Sequence, residues 1–209
     1  MDKAAIWRTI DTERGSLATD LGSISEEQWN TLSQCNQWSV RDVLAHMTAT
    51  AKTTSMNFLP GLVGTGFKFN ELSDKKIREE RGASSAETLA RFKAIETSRK
   101  RPPGPIGTML GETIVHAEDI RGPLAIAHEY PGEALIEVAD FYKGSNLILH
   151  TKSRIDGLSL RATDASWSHG SGPEVAGSML ALVMAMVGRK QPLDRLSGDG
   201  VATLRGRRA

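Results

Sequence analysis

Glu112 and His116 stand four residues apart in Gly111-Glu112-Thr113-Ile114-Val115-His116-Ala117-Glu118-Asp119-Ile120-Arg121. On a helix they share one face, about one turn apart. A carboxylate and an imidazole so placed can fill two corners of a divalent metal site. A third ligand must then come from another helix. Trp38-Ser39-Val40-Arg41-Asp42-Val43-Leu44-Ala45-His46 offers one, because Trp38, Asp42 and His46 recur at every fourth position, with His46 at the far end of that face. The pattern reads as a two-His, one-carboxylate metal site, His46, Glu112 and His116, inside a helix bundle.

Each of these residues also has a plainer reading. Carboxylate–histidine pairs at this spacing occur as ion pairs on solvated helix faces, and His46 fits a satisfied core histidine. The apolar neighbours Ile114-Val115 and Val43-Leu44-Ala45 favour the inward-facing site, since bundles build metal centres from side chains on facing helices. Asp42, one turn before His46, is a candidate to orient that imidazole. Asp119 is either a similar outer partner or a surface charge. Arg121 is a cation at a helix end, where the dipole favours it, or an anion binder near the metal. Arg189, in Val187-Gly188-Arg189-Lys190, is a helix-end charge or reaches across to the bundle's site. His128, His150 and His169 lack partners at ligand spacing. Glu118 reads as a solvated helix residue. Cys35 reads as a small loop or core residue, with no adjacent group to stabilise a thiolate.

These side chains need helices to hold them. Ile6, Trp7, Ile10, Leu17 and Leu21 form the stripe of a first helix from near Asp2 to Leu21. Ser25 followed by Gln28 resembles a capping box. Ser39 is the expected N-cap of a second long helix, running through His46 towards Phe58 and stopping at Pro60-Gly61. Helical segments are expected over Asp74–Arg81 and Ala86–Arg99. Pro102-Pro103-Gly104-Pro105 breaks the chain before the helix Ile106–Arg121. Beyond it the pattern changes: a helix over Glu133–Tyr142, strands near Gly157–Thr163 and Ser166–Gly170, a buried helix over Val175–Val187, and a last strand over Val201–Leu204. The expected fold is mostly α, a helix bundle over residues 1–130 followed by a small α/β domain over residues 131–209.

Bulk composition narrows the classes. The 209 residues are 39% hydrophobic and 24% charged, an ordinary globular balance. A net charge of +1, from 26 basic and 25 acidic residues, argues against a general nucleic-acid binder. The basic cluster Arg205-Gly206-Arg207-Arg208 reads as a solvated tail. No apolar run approaches the ~20 residues of a membrane span, and the start of the chain lacks the basic-then-apolar order of a secretion signal. Cys35 is the single cysteine, which excludes an internal disulfide and suits a reducing cytoplasm.

The two motifs together resemble those of the mycothiol-dependent maleylpyruvate isomerase family, within the wider DinB/YfiT-like metal-binding helix bundles. Trp167, Gly170-Ser171-Gly172-Pro173, and Gly188-Arg189 through Gly198-Asp199-Gly200 extend the resemblance into the C-terminal half. It implies a four-helix bundle holding zinc or a related divalent ion on His46, Glu112 and His116. It further implies mycothiol as cosubstrate, and hence an actinobacterial cytoplasm. Arg189 matches a functionally important arginine of the family's C-terminal domain. Arg121-Gly122-Pro123-Leu124 departs from the family's paired arginines before Pro-Leu, and the segment between the second and fourth helices is short; both bear on the substrate.

The residues accommodate thiol chemistry. Two neutral imidazoles and a carboxylate leave a divalent ion with a net charge of +1 and an open position. A thiol there is deprotonated near neutral pH and can attack an electrophilic carbon. Loss of the thiol after bond rotation gives cis–trans isomerisation of an unsaturated acid; a persistent adduct is S-transfer, and an arginine can hold the substrate carboxylate in either. The alternatives are a hydrolase using metal-bound water, with Asp42 or Asp119 as base, and a metal- or ligand-binding bundle without catalysis.

Overall fold

The computed structural model describes residues 1–35, 38–64, 69–146 and 149–207. The chain divides into two compact units, Asp2–His128 and, together with Met1, Glu129–Ala209.

In the first unit, α1 (Lys3–Asp20) begins where the Asp2 side chain accepts the Ala5 N–H at 2.7 Å. It buries Ile6, Trp7, Ile10 and Leu17. Capping boxes open the next two helices, Ser25 with Gln28 for α2 (Glu26–Trp29) and Ser39 with Asp42 for α3 (Val40–Lys52). There follow α4 (Ser55–Gly64), α5 (Phe69–Arg81), α6 (Ser85–Lys93) and α7 (Gly107–Arg121). Helix α3 packs against α5, α6 and α7, and α1 packs against α6 and α7. Every side chain of α7 from Thr113 to Arg121 is buried, so this helix runs through the middle of the bundle. It takes His116, Glu118, Asp119 and Arg121 indoors with it. Charged groups in such a place need partners, and those partners build the site described below.

The second unit holds α8 (Gly132–Lys143), α9 (Thr151–Ile155), β1 (Ser159–Ala162), β2 (Ser168–Gly170), β3 (Glu174–Gly177), α10 (Met179–Met186) and α11 (Gly200–Gly206). The sheet order is β2-β1-β3; β1 is antiparallel to β2 and parallel to β3, with Leu160 opposite both His169 and Val175. Gly170 is required at the turn out of β2: its φ is +81°, and a Cβ there would stand 2.2 Å from the Leu158 carbonyl oxygen. The whole is a mostly helical protein, a bundle followed by a small α/β unit, as the sequence pattern predicts.

Several elements differ from the sequence reading: α5 begins at Phe69 instead of Asp74, and α6 ends at Lys93 instead of Arg99. The helix carrying His46 ends at Lys52 instead of Phe58, because Thr53 turns extended and its hydroxyl bonds back to the Ala49 carbonyl. The Asn57 side chain then accepts the Thr54 N–H, and α4 starts afresh with Pro60 inside it. The apolar run from Val175 is split: Val175, Ala176 and Gly177 join the sheet, and Ser178 caps the helix at Ala181. The expected last strand at Val201–Leu204 lies within α11, where Gly200 and Leu204 are buried at helical spacing.

Candidate metal centre

His46 comes from the middle of α3; Glu112 and His116 come from adjacent turns of α7. Their ligand atoms all lie within 4.8 Å of one another. The His46 Nε2 is 3.2 Å from Glu112 Oε1, and the His116 Nε2 is 3.4 Å from Glu112 Oε2. The two imidazole rings meet edge to face at 75°, with centroids 4.9 Å apart. Both point a ring nitrogen at one carboxylate, so three donors converge from two helices.

Electrostatics tie the group together. Burial pushes the Glu112 carboxyl up, but the neighbouring His116 and His46 outweigh it and hold the group well below the usual carboxylate range. Burial likewise pushes His116 down, and Glu112, then hydrogen bonds that the ring donates to Asp119 and Cys35, overcome it and hold the imidazole well above its ordinary value. Glu112 Oε1 is buried, yet no neighbour makes a well-aligned hydrogen bond to it. A buried carboxylate with one imidazole nitrogen facing each of its oxygens fits a divalent cation. The donor set, two nitrogens and one oxygen, is one that zinc and related ions accept.

The remaining predicted residues are placed as follows. Asp119, 0% exposed, has Oδ2 2.9 Å from His116 Nδ1, the nitrogen that faces away from Glu112. This carboxylate fixes the ring so that Nε2 faces the centre. Asp42 does not meet His46; its carboxylate accepts from the Ser39 N–H and hydroxyl and pairs with Arg81 at 3.0 Å. The side chain facing His46 Nδ1 is Ser73, its hydroxyl 3.4 Å away. Arg121 is fully buried, with its guanidinium committed to Asp20 (2.7 Å), Ser16 (3.0 Å) and Glu13 (3.8 Å) on α1. That geometry joins α1 to α7. Glu118 is buried rather than solvated. Arg189 belongs to the second unit, just after α10, where its charge acts on Arg154. His128, set aside in the sequence, pairs with Glu13 at 2.7 Å.

Two neighbours take part in ways the sequence reading did not state. Trp38, which the four-residue spacing put on the His46 face, precedes α3 instead of lying on it, and its ring stands 4.9 Å from that of His46 and 6.5 Å from that of His116, forming an apolar wall. Cys35 is the buried loop residue expected, but it also groups with His116 and Asp119, with ligand atoms within 4.8 Å. Periodicity could not reveal the part of Cys35, since it lies in the loop before the helix. The one available signal was that Cys35 and Trp38 flank the N-cap of the helix that carries His46.

Fold and cluster together define a class: helix bundles in which two imidazoles and a carboxylate face inward from neighbouring helices, followed by a small α/β unit. Residues 10–103 match the family described as the mycothiol maleylpyruvate isomerase N-terminal domain, the family that the two motifs resemble; the match includes His46 and ends before Glu112. Two solved structures share the fold over nearly the whole chain. The crystal structure of the mycothiol-dependent maleylpyruvate isomerase has a TM-score of 0.67 at 15% identity, covering 95% of this chain and 93% of that one. A histidine-to-alanine mutant of that enzyme has the same TM-score and coverage at 14% identity. Comparison with curated proteins gives no significant match.

Proposed function

We propose that the protein is a metal-dependent enzyme that uses a low-molecular-weight thiol, mycothiol, to isomerise a small unsaturated acid. The observation that carries this reading is the convergence of His46, Glu112 and His116 within 4.8 Å around a buried carboxylate, one oxygen of which has no well-aligned hydrogen bond. The family match over residues 10–103 and the shared fold of the mycothiol-dependent isomerase support the choice of thiol and substrate. A divalent ion held by the three side chains, zinc on the chemistry of the donors, would supply Lewis acidity sufficient to keep a thiol as thiolate near neutral pH.

The protein's own groups have definite tasks in this scheme. Asp119 holds the His116 ring by Nδ1 and leaves Nε2 directed at the centre. Trp38 walls off the two imidazoles and lowers the local dielectric, which strengthens every charge interaction inside. Arg189 remains a candidate for the substrate on the resemblance alone. Addition of a thiolate to the double bond of a cis unsaturated acid leaves a single bond free to rotate; expulsion of the same thiolate returns the trans acid and leaves the thiol unconsumed. A reducing cytoplasm with a thiol pool is the compartment such chemistry requires. No helix among the described residues is long and apolar enough to cross a membrane.

The test is elemental analysis of the wild type, His46→Ala and His116→Ala, followed by assay of maleylpyruvate with and without mycothiol. Near-stoichiometric zinc lost in both variants, and isomerisation that needs the thiol, are the expected results. A stable thioether product instead of the trans acid would make the enzyme an S-transferase. A wild type that takes up no divalent metal on reconstitution would overturn the proposal.

A further inference from the structure

The buried face of α1 carries two charged residues, Glu13 and Arg14; Glu13 is paired with Arg121 and His128. Trp7, Ile10, Leu17 and Leu21 are buried at helical spacing, and Arg14 stands in the same row, only 2% exposed. A guanidinium in a core position loses its hydration and needs acceptors or countercharges in return. Arg14 has few. Its Nη1 donates to the carbonyls of Ile95 at 3.2 Å and Ser98 at 3.3 Å, just beyond α6. Nε and Nη2 make no hydrogen bond to the described residues, and neither is among the unpartnered atoms cut off from solvent, so this edge is open to a ligand from outside the protein. Asp11, one turn earlier, is engaged by Arg99 through two bonds of 2.6 Å. Burial pulls Arg14 down to about 10, and the carboxylates that work against this from a distance are Asp11 and Glu112.

Arg121 is the informative contrast. It is equally buried on the same unit, but carboxylates and a hydroxyl of α1 surround it. A helix-joining arginine in this protein is fully matched, and Arg14 is not. The edge left open, Nε with Nη2, is the one on which a guanidinium accepts a carboxylate through two parallel hydrogen bonds. Helix α1 packs on α7, which carries Glu112 and His116.

We propose that Arg14 is the anion anchor of the bundle, binding a carboxylate of the substrate on its Nε–Nη2 edge beside the His46–Glu112–His116 cluster. This rests on the reading above that the substrate is an unsaturated acid. It places the recognition of the acid in the same unit as the metal ligands. The Ile95 and Ser98 carbonyls then act as the brace that holds the guanidinium's other end.

The probe is maleate, a small cis dicarboxylate, with neutral dimethyl maleate as control, titrated calorimetrically into zinc-loaded and chelator-treated full-length protein. In Arg14→Gln the maleate Kd rises about 10- to 100-fold, as for loss of hydrogen bonds to a charged group. In Arg14→Lys, which keeps the charge but not the fork, it rises about tenfold. Zinc content stays unchanged in both, and dimethyl maleate discriminates neither. In the wild type, the ¹⁵N signal of the Arg14 Nε–H, identified by its absence in Arg14→Lys, shifts on adding maleate and not on adding the diester. Should both variants fail to fold, that signal decides alone. Unchanged maleate affinity in a folded variant, an unmoved Arg14 signal while maleate binds, or no maleate binding by the wild type each overturns the assignment. Zinc-dependent, thiol-dependent activity that ignores Arg14 would sink the anchor alone, whereas Arg14-dependent maleate binding in a protein that takes no metal would sink the metal reading alone.

Discussion

Asp119 provides the sharpest check on the metal centre, because its carboxylate meets His116 at Nδ1, the nitrogen turned away from Glu112. Its Oδ2 lies 2.9 Å from Nδ1, and helix geometry at three-residue spacing fixes that distance. Loss of such an outer partner lowers metal affinity by about 10- to 100-fold. A second route gives the same size: a buried hydrogen bond to a charged group contributes about 1.5–3 kcal/mol, and 1.4 kcal/mol is about one decade in Kd. Asn retains an acceptor for Nδ1–H, so Asp119→Asn belongs near the tenfold end; Ala strands that N–H in the core and belongs near the hundredfold end. Competition against a chromophoric zinc chelator measures both. The pH profile adds a signature. Zinc has to displace a proton from His116, whose affinity for it is raised by Glu112 first and by Asp119 next. Zinc affinity in the wild type therefore keeps climbing with pH beyond the ordinary imidazole value of about 6.5, and in Asp119→Asn the climb ends at lower pH. An Asp119→Ala protein that binds zinc within about threefold of wild type, with an unshifted profile, would refute the chain of reasoning from Asp119 through His116 to the metal.

Other perturbations separate the site from the scaffold. Metal-free protein should be most stable where Glu112 is ionised and His116 protonated. The lowered Glu112 contributes stability that disappears as pH falls through its folded value, and the raised His116 contributes stability that disappears as pH rises through its own. Thermal melts of chelated protein across pH should show that loss on the alkaline side, and zinc loading should abolish it. Asp42→Ala removes half of the α3 capping box and the Arg81 pair, costing about 1–2 kcal/mol in a denaturant melt; zinc affinity should be unchanged, since Asp42 does not meet His46. Arg121→Met leaves Asp20 and Glu13 without their buried cation and should destabilise the protein by about 3–5 kcal/mol, with zinc stoichiometry retained in the folded fraction.

What the sequence disclosed depended on whether a signal was local. Capping boxes at Ser25 and Ser39 are short-range hydrogen-bond patterns, and both helices begin where those residues place them. The Glu112/His116 spacing is equally local. His46 could be paired with them only by inference from helix faces and the family resemblance, and the tertiary packing of α3 on α7 is what brings its Nε2 to 3.2 Å from Glu112. Periodicity failed where two elements share one apolar run, as at Val175–Val187, where pairing with β1 claims the first residues and Ser178 caps the rest. It also misassigned Asp42, because spacing on one face says nothing about a nearer claim: the N-cap of its own helix, three residues away, takes its carboxylate.

Arg14 was hidden for the opposite reason. A sequence reader takes one charged residue in an apolar stripe as a flaw in the stripe, whereas the structure shows the row unbroken and the charge inside it. Its meaning comes from the balance of buried charge in this unit. Arg121 is answered by Asp20 and Glu13, Glu13 also by His128, and His116 by Asp119. Among the described residues, after these pairings, the buried side-chain atoms without a hydrogen bond are Glu112 Oε1, Gln34 Oε1 and Thr108 Oγ1, and the Nε–Nη2 edge of Arg14 makes no bond to protein. Glu112 and Arg14 are the charged groups of this set, and their signs are opposite. A cation at Glu112 and a carboxylate at Arg14 would satisfy both. That complementarity is stronger support for a metal-dependent reaction of an organic acid than either feature alone, because two charged groups of one unit call for ligands of opposite sign.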